Sequence, residues 1–182
     1  MVTAQQAQQV YEEAECLYER HQVEAAIAQM AEAITAQLAE KDPLVLAVMS
    51  GAMIPAGILL SHLDFPLQID YLHASRYRGE TSGGELHWRV RPRYELRGRV
   101  VLIIDDILDE GLTLQAIIES CREQGAAEVY SAVLVKKQHQ RNIGIEADFV
   151  GLEVEDRYLF GYGMDYKEYL RNAPGIFAVN DH

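Results

Sequence analysis

Two short runs of uninterrupted apolar residues constrain this chain more than any other feature. Leu44-Val45-Leu46-Ala47-Val48-Met49 ends at Ser50-Gly51, and Val100-Val101-Leu102-Ile103-Ile104 ends at Asp105-Asp106. A strand with no polar residue at alternate positions is covered on both faces, which is the condition of a central strand in a parallel sheet. Helical patterns separate such runs. Ile54 to Leu63 predicts a helix opening at Pro55, and Leu114, Ile117, Ile118 and Cys121 form one stripe of another, closed by Gly125. Further strands are predicted at Leu67–Leu72, Val129–Val135 and Phe149–Leu152. Strands alternating with helices imply an α/β fold, Rossmann-like, whose mainly parallel twisted sheet is joined by right-handed crossovers and flanked by helices.

The flanks differ in texture. Thr3 to Lys41 reads as helix, with Val10, Leu17, Ile27, Ile34 and Leu38 near helical spacing and a break expected near His21; Asp42-Pro43 ends it. Arg76 to Glu85 is polar and Gly-rich, and Leu86, Trp88 and Val90 then alternate with His87, Arg89 and Arg91, as in one arm of a half-exposed hairpin. A loop over 75–86 leading into a strand follows. No internal repeat or linker divides the 182 residues, so a single domain is expected, with N-terminal helices over 1–42, a core sheet over 43–155 and a terminal part over 156–182.

Composition narrows the partners. A formal charge of −12 argues against a nucleic-acid surface, where a basic face is needed. Cys16 and Cys121 stand far apart without metal-type spacing, as in a reducing compartment. Met1–Val10 is polar, and no window approaches the roughly 20 apolar residues that span a bilayer. The expectation is a cytoplasmic protein acting on small molecules, with no nucleic acid and no membrane as partner.

The chemistry concentrates in Val100 to Thr113. Beyond the carboxyl ends of parallel strands lies the usual ligand crevice of an open sheet. Asp105, Asp106 and Asp109 put three acids there within five residues, followed by Gly111 and a helix start. The acids suit a sugar diol or a hydrated Mg²⁺, which takes one or two carboxylates and leaves other positions to substrate oxygens. The turn and the helix N-terminus offer N–H groups to a phosphate.

This segment resembles the phosphoribosyl pyrophosphate signature of the type I phosphoribosyltransferases: an apolar strand, two acids, two apolar residues, then an Asp/Thr-Gly-x-Thr loop. Downstream, Asp148-Phe149-Val150-Gly151-Leu152-Glu153-Val154 and Asp156 to Tyr166 resemble the purine-binding region of the hypoxanthine-guanine members. The resemblance runs from about Leu44 to the C-terminus. It implies the type I fold with a small hood and a flexible loop, Mg²⁺ as cofactor, and salvage of a 6-oxopurine base with phosphoribosyl pyrophosphate to give IMP or GMP. Xanthine is a further candidate substrate. A homodimer or homotetramer is also implied.

The resemblance assigns roles residue by residue. Asp105 and Asp106 contact the ribose hydroxyls or Mg²⁺, and Asp165 belongs with a second metal. Asp109 is the general acid/base at purine N7. Glu110, Gly111, Leu112 and Thr113 line the 5′-phosphate pocket; Ser50, Gly51 and Arg171 face pyrophosphate. Lys136 meets the oxygen at purine C6, Tyr158 stacks on the base, and the backbone at Leu159 reads its edge. Arg76 and Tyr77 lie at the flexible loop, with Tyr77 covering the reacting centre. Three departures stand out: Glu110-Gly111-Leu112-Thr113 where Thr-Gly-Lys-Thr is familiar, Met49-Ser50-Gly51-Ala52 where Leu-Lys-Gly-Gly is common, and Arg76 in place of serine. They leave an alternative open, a phosphoribosyl pyrophosphate or nucleotide sensor on the same fold with little chemistry.

Overall fold

The structure, a computed structural model, describes residues 1–76 and 86–180. In chain order the elements are α1 (Ala4–Glu13), β1 (Glu15–Glu19), α2 (Arg20–Leu38), β2 (Leu44–Val48), α3 (Met53–Ser61), β3 (Gln68–Arg76), β4 (Leu86–Val90), β5 (Val100–Leu108), α4 (Leu112–Glu123), β6 (Glu128–Gln138), β7 (Phe149–Glu155), β8 (Leu159–Phe160) and β9 (Gly175–Ala178). The main sheet has the order β4-β3-β2-β5-β6-β7, with every pair parallel except the antiparallel β3–β4 edge.

Both apolar runs occupy the centre of this sheet, covered on both faces as their composition requires. Alternation sends Val45 and Ala47 of β2, and Leu102 and Ile104 of β5, to a core shared with Ile27, Ile34 and Leu38 of α2 and Leu59 of α3. Leu44, Leu46, Val101 and Ile103 meet Leu114, Ile117 and Cys121 of α4 on the opposite face. Each fully buried aliphatic side chain contributes about 1.5–3 kcal/mol, so these two layers fix the sheet on which the loops sit.

The N-terminal part departs from the expected pair of long helices. Thr3 and Gln6 form a capping box that starts α1, but the helix stops at Glu13 and Ala14 turns extended. Glu15–Glu19 then pairs antiparallel with β9, and a second capping box between Glu19 and Gln22 starts α2. The break therefore lies before His21 and contains a strand. β1, β9 and β8 make a small antiparallel sheet. Tyr11 of α1 sits edge-on against Phe160 and Phe177, at ring-centroid distances of 5.9 and 5.0 Å, and Phe160 stacks on Phe177. The expected hood is thus built by α1, β1 and the C-terminal strands together. The Tyr162 hydroxyl donates to Glu24 of α2 and ties it to the main body (3.2 Å).

Two strands outrun their expected ends. β5 continues through the acids to Leu108, and β6 continues through both lysines to Gln138. The two pair in parallel along this extension, Ile107 with Val135 and Leu108 with Lys136, which satisfies backbone groups that would otherwise need a loop partner. The expected loop over 75–86, with Tyr77, lies for residues 77–85 outside the described residues; Arg76 and Leu86 pair at the ends of β3 and β4.

Candidate active site

The extension of β5 and the start of α4 line a cleft of about 780 Å³. Its wall is formed by Arg76 and by the stretch from Asp105 to Leu114. Asp105 and Asp106 are adjacent on the strand, and the Asp106 N–H donates to Asp105 Oδ1 (2.8 Å). Burial, and then the neighbouring Asp106 charge, push the Asp105 carboxyl well above the usual carboxylate range. Asp106 is also raised by burial, opposed by its hydrogen bonds and by the positive charge of Arg171. Two acids that resist ionising together form a hard-oxygen donor pair whose charge a divalent cation would relieve, so these residues fit Mg²⁺.

Around this pair the loop after β2 is drawn in tightly. It carries a cis peptide bond between Met49 and Ser50. A Cβ on Gly51 would stand 2.2 Å from Asp106 Oδ2, so any side chain there would displace the carboxylate. Gly163, at φ +102°, packs so closely on Gly51 that a Cβ would reach 1.9 Å from the Gly51 carbonyl oxygen. Arg171 Nη1 donates to the Gly163 carbonyl (2.5 Å), and its Nη2 lies 3.4 Å from Asp165 Oδ1. Ser50, Gly51, Asp105, Asp106, Asp165 and Arg171 are therefore linked in one contiguous region.

The phosphate-loop candidates form a second region. Gly111 is the N-cap of α4 at φ +90°, a conformation that favours glycine, and Gln115 donates to its carbonyl. The first-turn N–H groups, including those of Leu112 and Thr113, have no partner within the helix and face the end where an anion is favoured. Glu110 does not oppose this: its carboxylate lies 3.8 Å from Arg141 Nε, and its carbonyl accepts from Ile143 N–H. The segment after β6 lies directly against the loop, since a Cβ on Gly111 would meet Ile145 Cγ2 at 2.1 Å.

Asp109 marks a third region, and here the placement of one expected residue changes. Lys136 turns away and pairs with Glu146 (2.5 Å), a residue on the α4 side of the sheet. Lys137 reaches Asp109 Oδ2 at 3.3 Å and Asp156 Oδ1 at 3.8 Å. The reason lies in the strand. Leu134 and Val135 both pack into the core on the α2 side, so alternation restarts one residue out of phase and the two lysines exchange faces. His139 Nε2 lies 2.5 Å from Asp109 Oδ1. Arg141 donates to both carboxylate oxygens of Asp156 (2.6 and 3.1 Å), which holds that acid below its usual range. Lys137, His139, Arg141 and Asp156 were not singled out in the sequence. Their signal was a run of basic residues at and after the end of β6, with an acid just after β7, at the carboxyl edge of the sheet where ligands bind.

Tyr158 is 46% exposed and meets Tyr166 in an edge-type contact at 5.6 Å. Leu159 is buried and pairs with Ala178 in the hood sheet.

A family model for the phosphoribosyl transferase domain matches residues 13–168. The chain belongs to the phosphoribosyltransferase family. Within it, the sequence is 34% identical over 161 residues to the hypoxanthine-guanine phosphoribosyltransferase of Bacillus subtilis, covering 88% of this chain and 89% of that protein. It is 32% identical to the hypoxanthine-guanine-xanthine phosphoribosyltransferase of Tritrichomonas foetus, covering 91% of each. Among solved structures, a hypoxanthine phosphoribosyltransferase from Staphylococcus aureus superposes with a TM-score of 0.88 at 27% identity, over 93% of this chain and 94% of that one. The expected type I fold, with its parallel sheet, is thus the fold of its structural neighbours. Among the described residues, no helix is long and apolar enough to cross a membrane.

Proposed function

We infer that the chain is a purine-salvage enzyme transferring the 5-phosphoribosyl group from phosphoribosyl pyrophosphate to hypoxanthine, guanine or both, with release of pyrophosphate. Xanthine is a candidate third substrate. The observation that carries the reading is the cleft that joins Asp105-Asp106, Asp109 and the α4 N-terminus, with a lysine beside Asp109. The sensor alternative finds no support among the relatives, which carry enzyme names.

In this reading the ribose diol lies against Asp105 and Asp106, and the 5′-phosphate against the N–H groups of the Gly111–Thr113 turn. Ser50, Gly51 and Arg171 take the pyrophosphate side. Asp105 and Asp106, with Asp165 at a second position, would hold Mg²⁺, which would supply positive charge against the departing pyrophosphate. Arg76 brings one positive charge to the same cleft. Asp109 accepts the N7 proton as N9 bonds to the sugar carbon. Each of its oxygens keeps a lone pair beyond the contacts with Lys137 and His139.

Lys137 takes over the role first given to Lys136. An ammonium has three donors and no acceptor, so with Asp109 and Asp156 served it still has one for the oxygen at purine C6. The amino group of adenine would meet it donor to donor. Tyr158 covers the base and the Leu159 backbone reads its edge. The test is product formation from phosphoribosyl pyrophosphate and Mg²⁺ with hypoxanthine, guanine, xanthine and adenine in turn. IMP and GMP without AMP support the reading; AMP as the main product, or no nucleotide from any base, refutes it.

A further inference from the structure

Asp109 is held on both sides, by Lys137 and by His139, and His139 has so far been given no role of its own. The His139 side chain is only 5% exposed, and its two ring nitrogens have different partners. The backbone N–H of Arg141 donates to Nδ1 (3.0 Å), which makes Nδ1 the acceptor. The ring proton of the neutral imidazole therefore sits on Nε2, the atom 2.5 Å from Asp109 Oδ1. A tight turn that satisfies one nitrogen thus aims the other at the carboxylate. Asn142 extends the grip by donating to the Asp109 carbonyl (3.4 Å), and its side-chain oxygen accepts from the N–H groups of Gly144 and Ile145.

We propose that His139 is a positioning residue for Asp109, an oriented hydrogen-bond donor that fixes the carboxylate and leaves its remaining lone pairs directed at the purine. The inference rests on the assignment of Asp109 as proton acceptor. The orientation follows the pattern in which a third group sets the tautomer of a histidine that in turn orients a catalytic side chain; here the third group is main chain. A metal reading of the same cluster is disfavoured by the surrounding charges. One ligand atom each of Asp109, His139 and Asp156 lie within 4.8 Å of one another. However, Lys137 stands between the two acids, and Arg141 engages both oxygens of Asp156 and lies 3.7 Å from Asp109. The protein's own cations already balance the charge of these carboxylates.

His139→Leu keeps bulk and removes the donor. His139→Gln places an amide N–H near the position of Nε2. Steady-state kinetics with hypoxanthine and phosphoribosyl pyrophosphate on the intact chain, with thermal unfolding as a check, separate the cases. A lost hydrogen bond to a charged group predicts that His139→Leu lowers kcat roughly 10- to 100-fold with both KM values within about 3-fold. His139→Gln recovers most of the loss. If His139→Leu keeps its kcat while Asp109→Asn loses activity, the proposal fails and the role of Asp109 stands. Equal loss in the Leu and Gln variants also overturns it, since the ring would then matter for packing alone. If Asp109→Asn itself turns over normally, the failure belongs to the Asp109 assignment, and the proposal falls with it.

Discussion

Replacing Gly111 with alanine tests how the phosphate loop is held. The residue sits at φ +90°, where a side chain costs about 1–2 kcal/mol relative to glycine. Its Cβ would also stand 2.1 Å from Ile145 Cγ2, well inside any tolerable contact, and 3.3 Å from Leu108 Cδ1. Relieving such an overlap by shifting the neighbour costs about 1–3 kcal/mol. Gly111→Ala should therefore destabilise the protein by about 2–5 kcal/mol, a fall in Tm of roughly 5–15 °C for a chain of this size. The partner mutation separates the two causes. In Ile145→Ala the offending methyl is gone and the nearest Ile145 atom left is Cβ, at 3.6 Å, an ordinary contact. Added to Ile145→Ala, Gly111→Ala should then cost the backbone part, about 1–2 kcal/mol, and only a small adjustment of the flexible Leu108 side-chain end at 3.3 Å. Urea unfolding at constant m reads all four corners of the cycle. Losses that add within about 0.5 kcal/mol would refute the claim that Ile145 presses on this loop. A double mutant as stable as Ile145→Ala would refute the backbone cost.

Lys137→Met should raise KM for hypoxanthine and guanine about 10- to 100-fold, as loss of a charge-assisted hydrogen bond does, while Lys136→Met stays near wild type. Steady-state kinetics on the pair decide it, and the reverse pattern would return the role to Lys136. A pH effect follows from Asp105. Because burial and Asp106 raise its carboxyl well above the ordinary value, the folded protein keeps a proton there that the unfolded chain releases. Between those two values stability falls as pH rises. Asp105→Asn should therefore flatten the decline and raise Tm at pH 7 in the absence of ligand. Added Mg²⁺ should raise the Tm of the wild type more than that of the variant. A thermal scan across pH in which Asp105→Asn is the less stable protein would sink this account.

How far the site could be read from the sequence depended on whether a residue's direction follows from its immediate neighbours. The central strands are uninterrupted apolar runs, so their burial, the parallel sheet and the position of Asp105-Asp106 at its edge were all legible. The end of β5 was not, because the acids look like punctuation until their pairing opposite β6 is known. Glu15–Glu19 stayed hidden for a related reason. Leu17 falls in phase with a helix, and the pairing that makes it a strand comes from β9, more than 150 residues later. Lys136 and Lys137 show the limit most clearly. They are chemically identical neighbours, and only the consecutive inward packing of Leu134 and Val135 decides which one faces Asp109. His139 was invisible on the same terms, since its role depends on a turn that brings the Arg141 N–H to its ring.

The turnover of Asp109→Asn tests the role of Asp109 most directly. With saturating phosphoribosyl pyrophosphate, Mg²⁺ and hypoxanthine, loss of the proton acceptor predicts a kcat about 10²- to 10⁴-fold below wild type. The affinity for phosphoribosyl pyrophosphate should change by no more than a few-fold, because Asp109 acts on the base and not on the phosphates. A variant that makes IMP within a few-fold of the wild-type rate would contradict the assignment of Asp109 and the mechanism built around it.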